Sequence, residues 1–286
     1  MSARVVVVGD VAVDVLVEPR AAAVPGADVP ARIRSRAGGA GANTAAWLAH
    51  LGSDVTLVGR VGDDPAGAAA GAELRAAGVA TALAVDAWRP TCTVVVLLGD
   101  GERTMLSDRG AAAHLAAADL PPLDDADHLH VSGYVLLDPT SRPAGMAALA
   151  AARAAGLSTS VDPQAAPALG PAFTADVRGV DLLLPNTAEL HALGGAAEDL
   201  LDVAAAVAVT DGPRGARWVD RRGTWTAEAP PAEVVDPTGA GDAFDAGLLV
   251  AWLEGAGPAA ALRAGCAAGA AAVAQLGARP GADVRR

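Results

Sequence analysis

The stretch Asp236-Pro237-Thr238-Gly239-Ala240-Gly241-Asp242-Ala243-Phe244-Asp245-Ala246-Gly247-Leu248-Leu249 decides how the rest of the chain is read. Pro237 biases Asp236 toward the β region, so the chain arrives extended from Glu233-Val234-Val235 and then meets two glycines that permit a tight turn. Residues 243–253 are mostly apolar around the whole circumference, which predicts a helix buried inside a domain. The turn before such a helix aims unpaired backbone N–H groups at one spot, and the helix dipole adds partial positive charge there. That spot is an anion site. Asp242 stands at its lip, where a carboxylate suits a general base that takes the proton from a hydroxyl as it attacks a phosphate. The same residue also reads as a helix N-cap.

Composition narrows the choices. With 286 residues, 52% of them hydrophobic, and no Ser-rich or charged linker, the chain reads as one domain over 1–286 with a large core. A net charge of −12 argues against nucleic acid as a partner, because such proteins carry a basic face. All 21 basic residues are Arg, which excludes a Walker-type phosphate loop and Schiff-base chemistry, both of which need Lys. Cys92 and Cys266 make neither a disulfide framework nor a metal cluster and read as small buried hydrophobes. Met-Ser-Ala-Arg leads straight into Val5-Val6-Val7-Val8, too short for a signal peptide, and no apolar run reaches membrane-spanning length. The expectation is a cytoplasmic protein without a membrane partner.

The apolar run Val5-Val6-Val7-Val8 has the pattern of a parallel strand buried on both faces, ending at Gly9-Asp10. Val11, Val13, Val15 and Val17 then alternate with partners that include Asp14, and the chain passes Glu18 and reaches Arg32-Ile33-Arg34-Ser35-Arg36, an exposed extended excursion from the main sheet. It returns to Ala37-Gly38-Gly39-Ala40-Gly41-Ala42-Asn43, where glycines let a ligand approach the backbone; residues 44–51 are predicted helical, with Gly52 as the stop. Gly39-x-Gly41 also admits a dinucleotide-binding reading, but the third glycine is missing. The next helix spans 65–77 and closes at Gly78. Apolar runs at 93–98 and 103–106 flank Gly99-Asp100-Gly101-Glu102, a hairpin signal that interrupts the alternation of strand and helix.

From His128 onward strands at 128–131, 158–161, 181–184 and one ending at Thr210 alternate with helices at 141–155 and 186–193. This predicts a mostly parallel sheet with helices on both faces and ligands at the carboxyl ends of the strands. There Gly9-Asp10, Asp162, Asn186, Thr210-Asp211-Gly212 and the turn at 236–242 can meet.

The opening stretch resembles the second signature of the PfkB/ribokinase family of carbohydrate kinases, and Gly38-Gly39-Ala40-Gly41-Ala42-Asn43 looks like its first. Val58-Gly59-Arg60-Val61-Gly62-Asp63-Asp64-Pro65-Ala66-Gly67 is similar to its companion strand-to-helix turn, and the resemblance covers about residues 4–282. It implies a ribokinase-like α/β fold with a small β lid from about 12–36 and 86–107, and a homodimer through that lid. It also implies ATP-dependent, Mg²⁺-assisted transfer of the γ-phosphoryl group to a primary hydroxyl of a small sugar. A nucleoside kinase of the same fold and a non-catalytic sugar- or nucleotide-binding regulator are the alternatives.

By the same resemblance Asp242 is the base, and the amides of Gly239, Ala240 and Gly241 stabilise the transferring group. Asp14, Gly39 and Asn43 hold the sugar, and Arg109 meets a carboxylate or phosphate. Asn186, Thr210, Gly212 and Gly215 surround the nucleotide phosphates, with Arg214 as a further phosphate contact, and Glu189 acts on Mg²⁺ through water. Asp236, with carbonyls from 274–279, helps bind an activating K⁺. Each has a plainer reading: Asp14 as a strand-edge carboxylate, Asn43 as an N-cap, Asn186 with Glu189 as a capping box, 212–215 as a hairpin turn, and Arg103 and Arg109 as solvated charges.

The chain departs from the family pattern at Ala40, where relatives that use sugar phosphates often have Lys, which weakens an anionic sugar substrate. Cys92 replaces a common lid Gly, Cys266 stands where an adenine-side Asn is frequent, and the segment between Glu189 and Val209 is short.

Overall fold

The computed structural model describes residues 2–22, 26, 28–99 and 102–281. Along the chain come β1 (Arg4–Val8), β2 (Ala12–Pro19), β3 (Ala31–Gly38), α1 (Ala40–His50), β4 (Asp54–Gly62), α2 (Pro65–Ala76), β5 (Ala80–Asp86), β6 (Cys92–Gly99) and β7 (Glu102–Asp108). Then follow β8 (His128–Ser132), α3 (Gly133–Leu137), α4 (Arg142–Ala155), β9 (Ser158–Asp162), α5 (Pro171–Asp176), β10 (Val180–Leu183) and α6 (Thr187–Ala192). The last elements are β11 (Ala204–Thr210), β12 (Ala216–Asp220), β13 (Gly223–Ala227), α7 (Ala240–Leu253) and α8 (Pro258–Val273).

Nine strands form the main sheet in the order β13-β12-β11-β10-β9-β8-β1-β4-β5, parallel except for the antiparallel β12 and β13 at one edge. The run of valines in β1 lies at its middle, between β4 and β8, because a strand with parallel neighbours and helices on both faces needs no polar side. Val5 and Val7 point into one core layer with α1, α7 and α8; Val6 and Val8 point into the other with α4. The sequence pattern thus identifies the fold class and most elements to within a residue or two. It does not identify β5, β13, α8, or the short α3 and α5.

His128 and His130 of β8 are buried in the first layer, opposite Ser158 and Ser160 of β9. Both ring nitrogens of His128 bond hydroxyls, Nδ1 to Ser158 and Nε2 to Ser160, and Nδ1 of His130 also bonds Ser160, each at 2.8 Å. Burial lowers their pKa values to about 3 for His128 and about 4 for His130, so both rings are neutral.

The excursion and the hairpin form a separate sheet, β3-β2-β6-β7. Gly99 pairs with Glu102 across the hairpin, whose Asp100-Gly101 tip lies outside the described residues, as do 23–25 and 27 of the β2–β3 connection. Along β2, Asp14 and Leu16 share one face, while Val13, Val15 and Val17 share the other with the exposed Ile33, Leu97 and Leu106.

Two expectations change. α1 begins at Ala40 and not at residue 44, and α7 begins at Ala240 and not at residue 243. In each, a glycine with positive φ, Gly39 at 91° and Gly239 at 78°, ends the incoming chain, and alanine, the best helix former, carries the helix back to it. Residues 233–235, expected as an extended approach, belong to no strand, and the Val235 N–H bonds the carbonyl of Val273. Among the described residues no helix is long and apolar enough to cross a membrane.

Candidate active site

The first turns of α1 and α7 meet at the carboxyl edge of the main sheet. Gly39 and Gly41 let α1 lie against the loop after β1: a Cβ on Gly39 would stand 2.6 Å from the Asp10 carbonyl, and one on Gly41 2.5 Å from Gly9 Cα. Gly239 is fixed both by its φ and by Ala278, whose carbonyl would stand 2.5 Å from an added Cβ. Gly239 is the N-cap residue of α7, so Asp242 lies inside the first turn and makes no cap bond. Asn43 likewise lies inside α1. The N-cap readings of both residues are therefore incorrect, because α1 starts three residues before Asn43 and α7 two residues before Asp242.

The two side chains bond each other. Asn43 Nδ2 donates to Asp242 Oδ2 at 2.8 Å, and Asn43 Oδ1 accepts from Arg279 Nε at 3.3 Å. Arg279 also donates to the carbonyl of Gly38 at 2.9 Å. Burial pushes the Asp242 carboxyl up to about 7, helped by the nearby charges of Asp10 and Asp14 and opposed by the Asn43 bond and by Arg279. Asp14, on the inner face of the small sheet, is pushed up to about 6, again mainly by burial and then by Asp10. Gly38 leaves room for that carboxylate, since a Cβ there would overlap it.

A second group of carboxyls faces Asp242. Asp245 stands one helical turn further along α7 and hydrogen-bonds Asp162 at the end of β9. Burial and the charges of Asp242 and Glu189 hold both well above the usual carboxylate range, and Asp245 Oδ2 is buried without a partner. The Gln164 amide also donates to Asp162, from a residue with positive φ. Asn186 and Glu189 form the reciprocal capping box of α6: the Glu189 N–H donates to Asn186 Oδ1, and the Asn186 N–H donates to Glu189 Oε2, both at 2.9 Å. Burial raises the Glu189 pKa despite these bonds.

A polar cavity of about 310 Å³ gathers Asp14, Gly39, Asn43, Arg109, Asn186, Glu189, Thr210, Gly239, Ala240, Gly241 and Asp242, together with Asp10, Tyr134, Asp162 and Asp245. The Arg109 guanidinium lies 4.6 Å over the Tyr134 ring and 3.8 Å from Asp10, and its Nε and one terminal nitrogen are buried without hydrogen-bond partners. Gly212 and Gly215 lie instead in a mostly apolar cavity of about 640 Å³ with Cys266 and Phe244, and Thr210, Ala240 and Gly241 border both cavities. The short helical turn 212–214 joins β11 to β12, so the hairpin-turn reading of this loop holds. The Arg214 guanidinium is held by both oxygens of Asp211 at 2.6 Å, so its fork already has a carboxylate partner here. Asp236 borders a third cavity, where it accepts from the N–H groups of Thr238 at 2.9 Å and Gly277 at 3.0 Å.

Tyr134, Asp245 and Arg279, whose side chains are not singled out from the sequence, complete this arrangement with Asp10, which the sequence places only in a loop at the sheet edge. The signal for Asp245 was an acid three residues beyond Asp242 on an otherwise apolar helix. Arg279 was read only for its carbonyl.

Oxygen donors at Asn186, Glu189, Asp162 and Asp245, whose Oδ2 alone lacks a partner, suit a hard cation such as Mg²⁺. Among the described residues no three His, Cys, Asp or Glu form a group that could hold a metal ion directly.

Comparison with known proteins agrees with this geometry. A family model described as pfkB family carbohydrate kinase matches residues 2–285. The chain is 34% identical over 268 residues to a fructokinase of Escherichia coli, covering 87% of this chain and 84% of the relative. It is 33% identical over 279 residues to an ATP-dependent ribose-1-phosphate kinase of Halopiger xanaduensis, covering 91% and 90%. The solved structure of an adenosine kinase from Sinorhizobium meliloti superposes with a TM-score of 0.88 at 25% identity, covering 98% and 96%.

Proposed function

The chain belongs to the pfkB family of carbohydrate kinases and is a phosphotransferase, and we propose that it carries the γ-phosphoryl group of ATP to a primary hydroxyl held between Asp14 and Asp242. The observation that carries this reading is the first turn of α7, a common wall between the polar cavity with its raised-pKa carboxylates and the apolar cavity. The apolar cavity takes the nucleotide base, and the polar one takes sugar and phosphates. The amides of Gly239, Ala240 and Gly241 face the phosphoryl group between them, where the dipole of α7 opposes its charge. Asn43 occupies one oxygen of Asp242 and leaves the other to accept the hydroxyl proton, at a pKa suited to a base near neutrality.

Asp14 accepts from sugar hydroxyls, with Gly39 and Asn43 beside it. Asn186 and Thr210 line the phosphate path, and Gly212 and Gly215 border the nucleotide on its apolar side. Mg²⁺ would supply charge neutralisation for the phosphates, held through water near Glu189. Asp236, bonded to Thr238 and Gly277, anchors the loop for K⁺. The small sheet closes as a lid, and its exposed face of Val13, Val15, Val17, Ile33, Leu97 and Leu106 pairs two subunits. A cytoplasmic location, with ATP at hand, goes with this reading.

A nucleoside substrate draws support from the likeness to an adenosine kinase. Against it, the aromatic ring bordering the polar cavity is Tyr134, and Arg109 already covers its face. Release of ADP across a panel of sugars and nucleosides tests the proposal. ADP formation that depends on a sugar supports it, ADP with nucleosides alone favours the second reading, and none with either favours a binding regulator.

A further inference from the structure

Phosphoryl transfer leaves a row of arginines on β3 unused. Arg32, Arg34 and Arg36 alternate with Ile33 and Ser35, so all three leave the strand on the face that carries Asp14. In register they stand opposite Glu18, Leu16 and Asp14. They line one side of a cavity of about 720 Å³ that continues from the polar cavity past Asp14, with Pro237 and Thr238 bordering both.

Elsewhere the arginines are largely neutralised: Arg60 lies between Asp86 and Asp119, Arg142 holds Asp176, and Arg222 holds Asp220. Among the described residues neither Arg32, Arg34 nor Arg36 forms an ion pair with any of the acids around it, Asp14 and Glu18 included. In a chain with a net charge of −12, these three guanidiniums without ion pairs, Arg34 half-buried and Arg32 and Arg36 exposed, make a local positive patch on the cavity wall. The planar fork of arginine fits a carboxylate or phosphate with two parallel bonds.

We infer that this cavity receives the anionic group, phosphate or carboxylate, of a sugar whose hydroxyls are held at Asp14, with Arg34 and Arg36 as its donors. The inference rests on the sugar-kinase reading and names its substrate class. The cation that Ala40 withholds from the glycine-rich side is supplied from the small sheet, where it can close on the substrate.

Calorimetric binding to the full chain, without nucleotide, tests this separately from catalysis. The probes are D-ribose against ribose 1-phosphate, D-fructose against fructose 1-phosphate, and D-gluconate for the carboxylate. At least one anionic sugar should bind about tenfold or more tighter than its neutral counterpart, with an advantage that shrinks as salt rises. Arg34→Gln with Arg36→Gln should remove the advantage, and Arg36→Lys, which keeps charge but loses the fork, should retain part of it. Whether phosphate or gluconate gains more identifies the anion. Equal binding of neutral and anionic sugars, no binding of any anionic sugar at millimolar concentration, or an advantage that survives the double substitution overturns the inference. Absence of ADP formation with every sugar would instead overturn the kinase reading, whatever the binding preference.

Discussion

The histidines of β8 and the carboxyls at the carboxyl edge of the same sheet are both buried polar groups, but they are held differently. His128 has a serine hydroxyl on each ring nitrogen and His130 shares one of them; their pKa values move to about 3 and about 4, out of reach of neutral pH. At the sheet edge Asp10, Asp14, Asp162, Asp242, Asp245 and Glu189 crowd together with one oxygen unpartnered, and the pKa values of Asp14 and Asp242 rise to about 6 and about 7. Neutral groups that satisfy one another become chemically silent. Like charges gathered out of water come to titrate where an enzyme works, and the fold carries the electrostatic cost.

Replacing the base should separate the two clusters most widely. Asp242→Asn should lower kcat by roughly 10² to 10⁴ with little change in KM. It should also raise Tm at pH 8, because the folded pKa of about 7 lies above the ordinary 3.8, so this carboxyl favours folding when protonated and opposes it as pH rises through about 7. Near-normal kcat at saturating substrate would mean that the base is elsewhere.

The pH dependence comes next. The rate at low substrate should fall about tenfold per pH unit below an acid limb near 7, the pKa to which Asp242 is raised. Stability should respond to the histidines with the opposite slope, since their folded pKa values lie below the ordinary 6.5 and their contribution is lost as pH falls from there toward 3 to 4. Thermal scans of wild type and Asp242→Asn between pH 4 and 8 would show both slopes; parallel curves for the two proteins would remove the assignment of the carboxyl slope to Asp242.

Ser160→Ala should break the silent cluster without touching the reactive one. It strips a partner from both His128 and His130 and should cost about 1 to 3 kcal/mol of stability by denaturant titration, with kcat unchanged. A slowed enzyme would show that the histidine ladder positions the site. The smallest effect expected is a few-fold activation by K⁺ over a large organic cation at matched ionic strength, through the loop that Asp236 anchors. Equal rates would remove the cation from the proposal.

What could be read from the sequence was local. The glycine before each helix, the i to i+3 capping box of Asn186 and Glu189 and the hairpin at Asp100-Gly101 each carry their physical reason within a few residues, and the valine run of β1 announces a two-sided core. What could not be read depends on pairing across the chain. Asn43 and Asp242 are 199 residues apart and Arg279 and Asn43 are 236 apart, so Asn43 looked like a cap by residue type until its partners were in view. Asp245 is the same case, an ordinary acid within its own helix until Asp162 is beside it.

The link from Arg279 through Asn43 to Asp242 also has a consequence for synthesis. A chain growing from its amino end makes β1 and α1 long before Asp242 and Arg279 are added. The elements that are read locally can therefore be in place while this link is not, because its bonds join residues 199 and 236 apart, and loop closure over such separations comes late.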